Sequence, residues 1–122
     1  MINDFQISEH FSLKEFECRE GKEVKLHKEL IIKLEKLRSL IGQPLIINSG
    51  YRTLEYNKKI GGAERSQHVE GKAADIRKVD GLTIDEMANM AEMVGFDGIG
   101  KYSNFIHVDV RKNGPARWDN RG

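Results

Sequence analysis

Gly98-Ile99-Gly100-Lys101-Tyr102-Ser103-Asn104-Phe105-Ile106-His107-Val108-Asp109-Val110-Arg111 reads as two short strands, Gly98 to Lys101 and Phe105 to Arg111, with Tyr102-Ser103-Asn104 as the turn of a hairpin. Side chains alternate along a strand, so Phe105, His107, Asp109 and Arg111 share one face while Ile106, Val108 and Val110 share the other. The Ile/Val face is the core face. An imidazole, a carboxylate and a guanidinium are therefore aligned on the opposite face, as an exposed polar sheet surface or as part of a site.

Upstream of this hairpin, Ala73 to Arg77 reads as another strand, and Leu45 to Asn48, bounded by Pro44 and Gly50, as a short buried one. Between the strands lie helices. Leu30, Ile31, Leu34, Leu37 and Ile41 fall at helical spacing from about Lys28 to Ile41, and Gly42 with Pro44 supplies the stop. Thr83 with Glu86 is a capping box that opens a helix with the stripe Ile84, Met87, Ala88, Ala91 and Val94, closed by Gly95. Ser12 with Glu15 opens a short helix at Leu13, and Thr53 caps another running through Ile60. Interspersed helices and strands with a terminal hairpin predict an α+β fold with a small, largely antiparallel sheet and flanking helices.

The 122 residues fit one domain, 1–122, with the Arg/Gly/Asn-rich end from Lys112 only partly ordered. Lys plus Arg number 20 against 19 for Asp plus Glu, a net +1, and neither half of the chain departs far from neutrality. That balance removes the main electrostatic argument for nucleic-acid binding. The longest charge-free stretch, Ser39 to Tyr51, contains two Gly and a Pro and is far shorter than the ~18 apolar residues of a membrane span. Asp4, Glu9 and His10 interrupt the place where a signal peptide would carry its apolar region, so the chain is expected to be synthesised in the cytoplasm and to reach any outside target by other release, of the phage or holin type. A monomer is expected. Cys18 is the single cysteine, which rules out an internal disulfide, a CxxC redox pair and a four-cysteine zinc site. Cys18 is read as a small half-buried side chain, and His10 and His27, in charged contexts, as solvent-facing.

The segment Ser66-Gln67-His68-Val69-Glu70-Gly71-Lys72-Ala73-Ala74-Asp75 sets a His and an Asp seven residues apart, the Asp in a strand among small residues that permit close approach. Together with His107 these make two imidazoles and one carboxylate. Such a set holds zinc and leaves a fourth position open, as a catalytic site requires.

Those segments, with Ser49-Gly50-Tyr51-Arg52 sixteen residues before His68 and Phe105-Ile106-His107-Val108-Asp109, resemble the signature of the zinc D-alanyl-D-alanine carboxypeptidase family, peptidase family M15, whose fold is shared with the hedgehog signalling domain. The likeness runs from Phe11-Ser12-Leu13 to Ala116-Arg117-Trp118 and is nearest to the small single-domain phage and bacterial branch. The resemblance implies that His68, Asp75 and His107 hold Zn2+, that Arg52 receives a substrate carboxylate with Ser66 beside it, and that Tyr51 belongs to the wall of the substrate site. A guanidinium suits that task because it offers two parallel donors to a carboxylate. The competing reading of Arg52 is a surface ion pair with Glu55 or Glu64.

The chain departs from the family in one respect: no carboxylate lies in Gly100 to Ile106, where several branches carry an acidic general base. Asp109 is the nearest acid on the His107 face, and it stands here as the catalytic candidate with the orienting of a ligand histidine as the other role open to it. Glu70 and Asp97 are more remote. The expected function is zinc-dependent hydrolysis of an amide in the peptide stem of bacterial peptidoglycan, of the D-Ala-D-Ala carboxypeptidase or endopeptidase type, such as a phage or prophage lysin. The alternative is a zinc-containing wall-binding module with little or no catalysis.

Overall fold

A computed structural model describes residues 5–121 of the chain. Its elements run in the order of a single 3-10 turn (Leu13–Phe16), α1 (Lys28–Ile41), β1 (Ile47–Ser49), α2 (Leu54–Lys59), β2 (Ala73–Arg77), α3 (Ile84–Val94), β3 (Gly98–Lys101), β4 (Phe105–Asp109) and β5 (Ala116–Asp119). The strands form one sheet in the order β1-β2-β4-β3-β5. All neighbours pair antiparallel except β3 with β5, so the sheet is largely antiparallel and the class is α+β, as expected.

Two helices cover one face of the sheet. Leu30, Leu34 and Leu37 of α1 are fully buried, and the α3 stripe of Ile84, Met87, Ala88 and Ala91 packs with them over Ala74, Ile76, Ile99, Ile106 and Val108. Each Leu, Ile, Val or Met side chain of this layer contributes roughly 1.5–3 kcal/mol on full burial, so the layer fixes which way the strands face. The helix ends follow their sequence signals: Thr83 accepts from the Glu86 amide with the reciprocal Glu86 contact, and Gly42 and Gly95 close α1 and α3 in the left-handed conformation. Among the described residues no helix is long and apolar enough to cross a membrane.

Several local expectations shift. The first strand begins at Ile47, not Leu45, because its pairing is confined to Ile47↔Ile76 and Ser49↔Asp75 with an irregularity between them. Strand β4 stops at Asp109, not Arg111, because the Arg111 amide turns to donate to the Asp109 carboxylate at 3.1 Å. The end from Lys112, read as only partly ordered, supplies β5, tied down by its ladder to β3 and by Arg117, whose guanidinium reaches Glu92 at 2.5 Å and the Phe96 carbonyl at 3.2 Å. His10 is half-buried rather than solvent-facing, its Nδ1 2.7 Å from Glu35 Oε1, whereas His27 is exposed. Cys18 is fully buried.

Candidate metal centre

Straight across the sheet, Ser49 stands opposite Asp75, Asp75 opposite His107, His107 opposite Gly100 and Gly100 opposite Trp118. Directly opposed side chains of an antiparallel pair start about 5 Å apart. Register alone therefore brings Asp75 and His107 together, on the face that the helices leave open. His68 comes from the loop before β2, where its amide donates to Ser66 Oγ at 3.2 Å and its carbonyl accepts from the Arg52 and Gly71 amides at 3.1 and 3.2 Å.

The result is a buried group in which ligand atoms of His68, Asp75 and His107 all lie within 4.8 Å of one another. Asp75 Oδ1 is 3.2 Å from His68 Nε2 and 3.1 Å from His107 Nδ1. The outer ring nitrogens decide the tautomers. His68 Nδ1 faces the Gly50 carbonyl at 2.7 Å, and His107 Nε2 faces Asp109 Oδ2 at 2.7 Å. Both partners only accept, so each outer nitrogen carries the hydrogen, and each neutral ring turns a bare lone pair toward Asp75. Three acceptors then converge with no donor between them. A cation relieves that arrangement, and two imidazole nitrogens with one carboxylate oxygen are the donor set that suits zinc while leaving a coordination position open.

Without a cation, protons must serve instead, and the ionisation shifts follow. Burial disfavours charge on both Asp75 and His107, but hydrogen bonds with the two imidazoles outweigh it and hold the Asp75 carboxyl well below the usual carboxylate range. His107 is raised, because contacts with Asp109 and Asp75 outweigh its own burial.

Asp109 has no exposed surface. Its Oδ2 also accepts from Arg111 Nη2 at 2.6 Å, and its Oδ1 from Arg111 Nε at 2.9 Å and from the Arg111 amide. Burial is the largest influence on this carboxyl and pushes it up, yet the bonds from Arg111 and His107 keep it low. Both oxygens are engaged, and the group meets His107 on the nitrogen opposite the one that faces Asp75. That geometry fits the orienting role and argues against the catalytic one.

The open face over the triad is a cleft of about 430 Å³ whose walls include Arg52, Arg65, Ser66, Gln67, Tyr102, Phe105, Arg111 and Trp118. Arg52 does not pair with Glu55 or Glu64. Its Nε donates to Ser49 Oγ at 3.3 Å, its Nη1 to Asn57 Oδ1 at 3.2 Å and its Nη2 approaches Asp75 Oδ2 at 3.5 Å. A guanidinium has five N–H groups, so two remain for another acceptor. Ser66 lies in the wall, whereas Tyr51, its amide bound to the Phe16 carbonyl at 2.8 Å, does not line the cleft. Neither Glu70 nor Asp97 lines it.

One part of the wall escaped the sequence reading. Trp118 stands 5.0 Å from the His107 ring, donates from Nε1 to the Tyr102 hydroxyl at 2.9 Å and lies 5.4 Å from the Arg111 guanidinium carbon. Tyr102 in turn stacks on Phe105 at 4.3 Å. The one signal was Gly98-x-Gly100. A Cβ at Gly100 would enter the Trp118 indole and one at Gly98 the Asp109 carboxylate, so the two glycines vacate the space these side chains occupy.

The sequence carries relatives of known kind. The probable peptidoglycan L,D-endopeptidase MepK of Haemophilus influenzae is 39% identical over 75 residues, which is 56% of this chain and 38% of that protein. The zinc D-Ala-D-Ala carboxypeptidase of Streptomyces albus G is 40% identical over 45 residues, 36% of this chain and 18% of that protein. The match thus spans well under half the length of either relative. A family model described as Peptidase M15 matches residues 7–109. Because that match takes in most of the chain and runs through His68, Asp75 and His107, the protein belongs to the peptidase M15 family.

Proposed function

We propose that the protein is a zinc-dependent peptidase that hydrolyses an amide bond in the peptide stem of bacterial peptidoglycan. The observation that carries this reading is the convergence of His68 Nε2, Asp75 Oδ1 and His107 Nδ1, buried at the floor of an open cleft. Family membership and the names of the two relatives, one a probable peptidoglycan L,D-endopeptidase and one a zinc D-Ala-D-Ala carboxypeptidase, support this reading. Zinc, when bound, supplies a Lewis acid that polarises the scissile carbonyl and activates a water molecule toward attack.

The chain's own residues divide the remaining work. His68 and His107 are held in the ligating tautomer by the Gly50 carbonyl and by Asp109, and Arg111 neutralises Asp109 so that this buried carboxylate does not stand alone beside the site. Arg52 steadies Asp75 through Nη2 and offers its two uncommitted N–H groups to a substrate carboxylate, with Ser66 beside it. Trp118, Tyr102 and Phe105 form an apolar wall that limits water on the side of His107. No protein carboxylate other than Asp75 lines the cleft among the described residues, so a substrate carboxylate other than the one held by Arg52 would accept the water's proton and deliver it to the leaving amine.

That same absence favours a second reading, a wall-binding module with little catalysis. Incubating purified peptidoglycan fragments with the zinc-loaded protein and analysing them by mass spectrometry separates the two. Hydrolysed stem peptides that disappear with chelator support the peptidase. Intact fragments retained by the protein support the module.

A further inference from the structure

The metal cleft adjoins a second hollow. It has a volume of about 710 Å³, and Leu54, Val69 and Lys72 are in its wall. The two share Arg65, Ser66, Gln67 and Arg111, so these four residues form the border between them. Arg111 is committed to Asp109. Arg65 is not committed: its guanidinium is exposed and has no hydrogen-bond or ion-pair partner among the described residues, although Glu64 is next to it in the chain. Among the described residues the one carboxylate lining the metal cleft, Asp75, is already engaged, so an unpaired planar fork at the mouth of that cleft is a receptor for an anion.

We infer that Arg65 receives a carboxylate in the part of the substrate that leaves the metal cleft, so that the peptide continues from the metal over the Ser66-Gln67 border into the second hollow. The deduction rests on the peptidase reading and deepens it. Arg52, bound to Asp75 and Asn57, serves a carboxylate close to the metal, and Arg65 serves a second one farther along. The second hollow also carries Lys72 and Lys112 against Glu64 and Glu70, none with an ion-pair partner among the described residues, so its wall meets charges of either sign. Arg65 alone of the unpaired cations borders both spaces.

Two synthetic stem-type tetrapeptides test this, one with a free internal carboxylate and one with that carboxyl amidated, both blocked as amides at the C terminus to remove the group that Arg52 would take. Each is titrated calorimetrically into the full chain and into Arg65→Gln at low temperature, with mass spectrometry afterwards to verify that the peptide is intact. The free acid should bind the parent about tenfold more tightly than the amide, the range of one charge-assisted hydrogen-bonded contact. Arg65→Gln should erase that preference while leaving the amide's affinity unchanged, and Arg65→Lys should restore part of it. Equal binding of the two peptides by the parent, or an equal loss for both in Arg65→Gln, overturns the assignment. Acid preference that depends on Arg65 in a protein that cleaves no peptidoglycan counts against the peptidase reading alone and supports the role of Arg65.

Discussion

His107 spends its two ring nitrogens on opposite neighbours, and this division carries most of the chemistry at the scale of single residues. Nε2 is tied to Asp109 and Nδ1 is turned toward Asp75. If Asp109 orients the ring, Asp109→Asn replaces an acceptor with a group that can also donate, and the imidazole loses the bias that points its lone pair inward. Zinc affinity should fall roughly 10–100-fold, with kcat restored at saturating zinc. Were Asp109 a general base, kcat would stay down by about 10²–10⁴-fold at saturating zinc. Zinc titration followed by kcat in excess metal distinguishes them, and a persistent loss would return Asp109 to the mechanism. Strand alternation made His107 and Asp109 legible as neighbours on one face. It could not tell a base from an orienter, because that depends on Arg111 curling back to occupy the carboxylate after the strand has ended.

Among the elements, β3 is the least conspicuous and sets the most. Gly98 and Gly100 leave its open face bare, and the neighbouring strands fill that space, β4 with the Asp109 carboxylate and β5 with the Trp118 indole. Gly98→Ala should therefore displace Asp109, loosen His107 and weaken zinc binding, whereas Gly100→Ala should push Trp118 away and disturb the substrate wall more than the metal. Zinc affinity compared between the two variants checks this, and equal losses would mean that the strand tolerates neither for general packing reasons. The helices and β2 were legible from caps and periodicity, since local signals and the buried stripe agree. Strand β5 was not, because Ala116–Asp119 is four residues in a polar tail whose order comes from parallel pairing to β3 and from the Arg117–Glu92 contact, both long-range. Trp118 was missed as a consequence.

For the molecule as a whole, metal and fold are coupled through protonation. The raised pKa of His107 in the metal-free protein gives it stability that is fully present below about pH 6.5, the ordinary histidine value, and that is lost as pH rises through the raised value. Zinc needs the neutral ring, so binding expels the proton, and affinity grows over the same interval in which the metal-free protein weakens. The rise in Tm on adding a fixed excess of zinc should thus be larger at pH 8 than at pH 6, following the linkage between ligand and stability. Thermal scans at the two pH values check it, and a shift that is flat or larger at pH 6 would separate the metal from His107.

The central claim is that His68, Asp75 and His107 share one zinc ion on the open face of the sheet. Anomalous scattering at the zinc edge from a crystal of the metal-loaded protein tests it most directly. The expected result is a single strong peak about 2.0–2.2 Å from His68 Nε2, an Asp75 oxygen and His107 Nδ1. A peak bound elsewhere, or three converged side chains with no peak at full zinc, would contradict it.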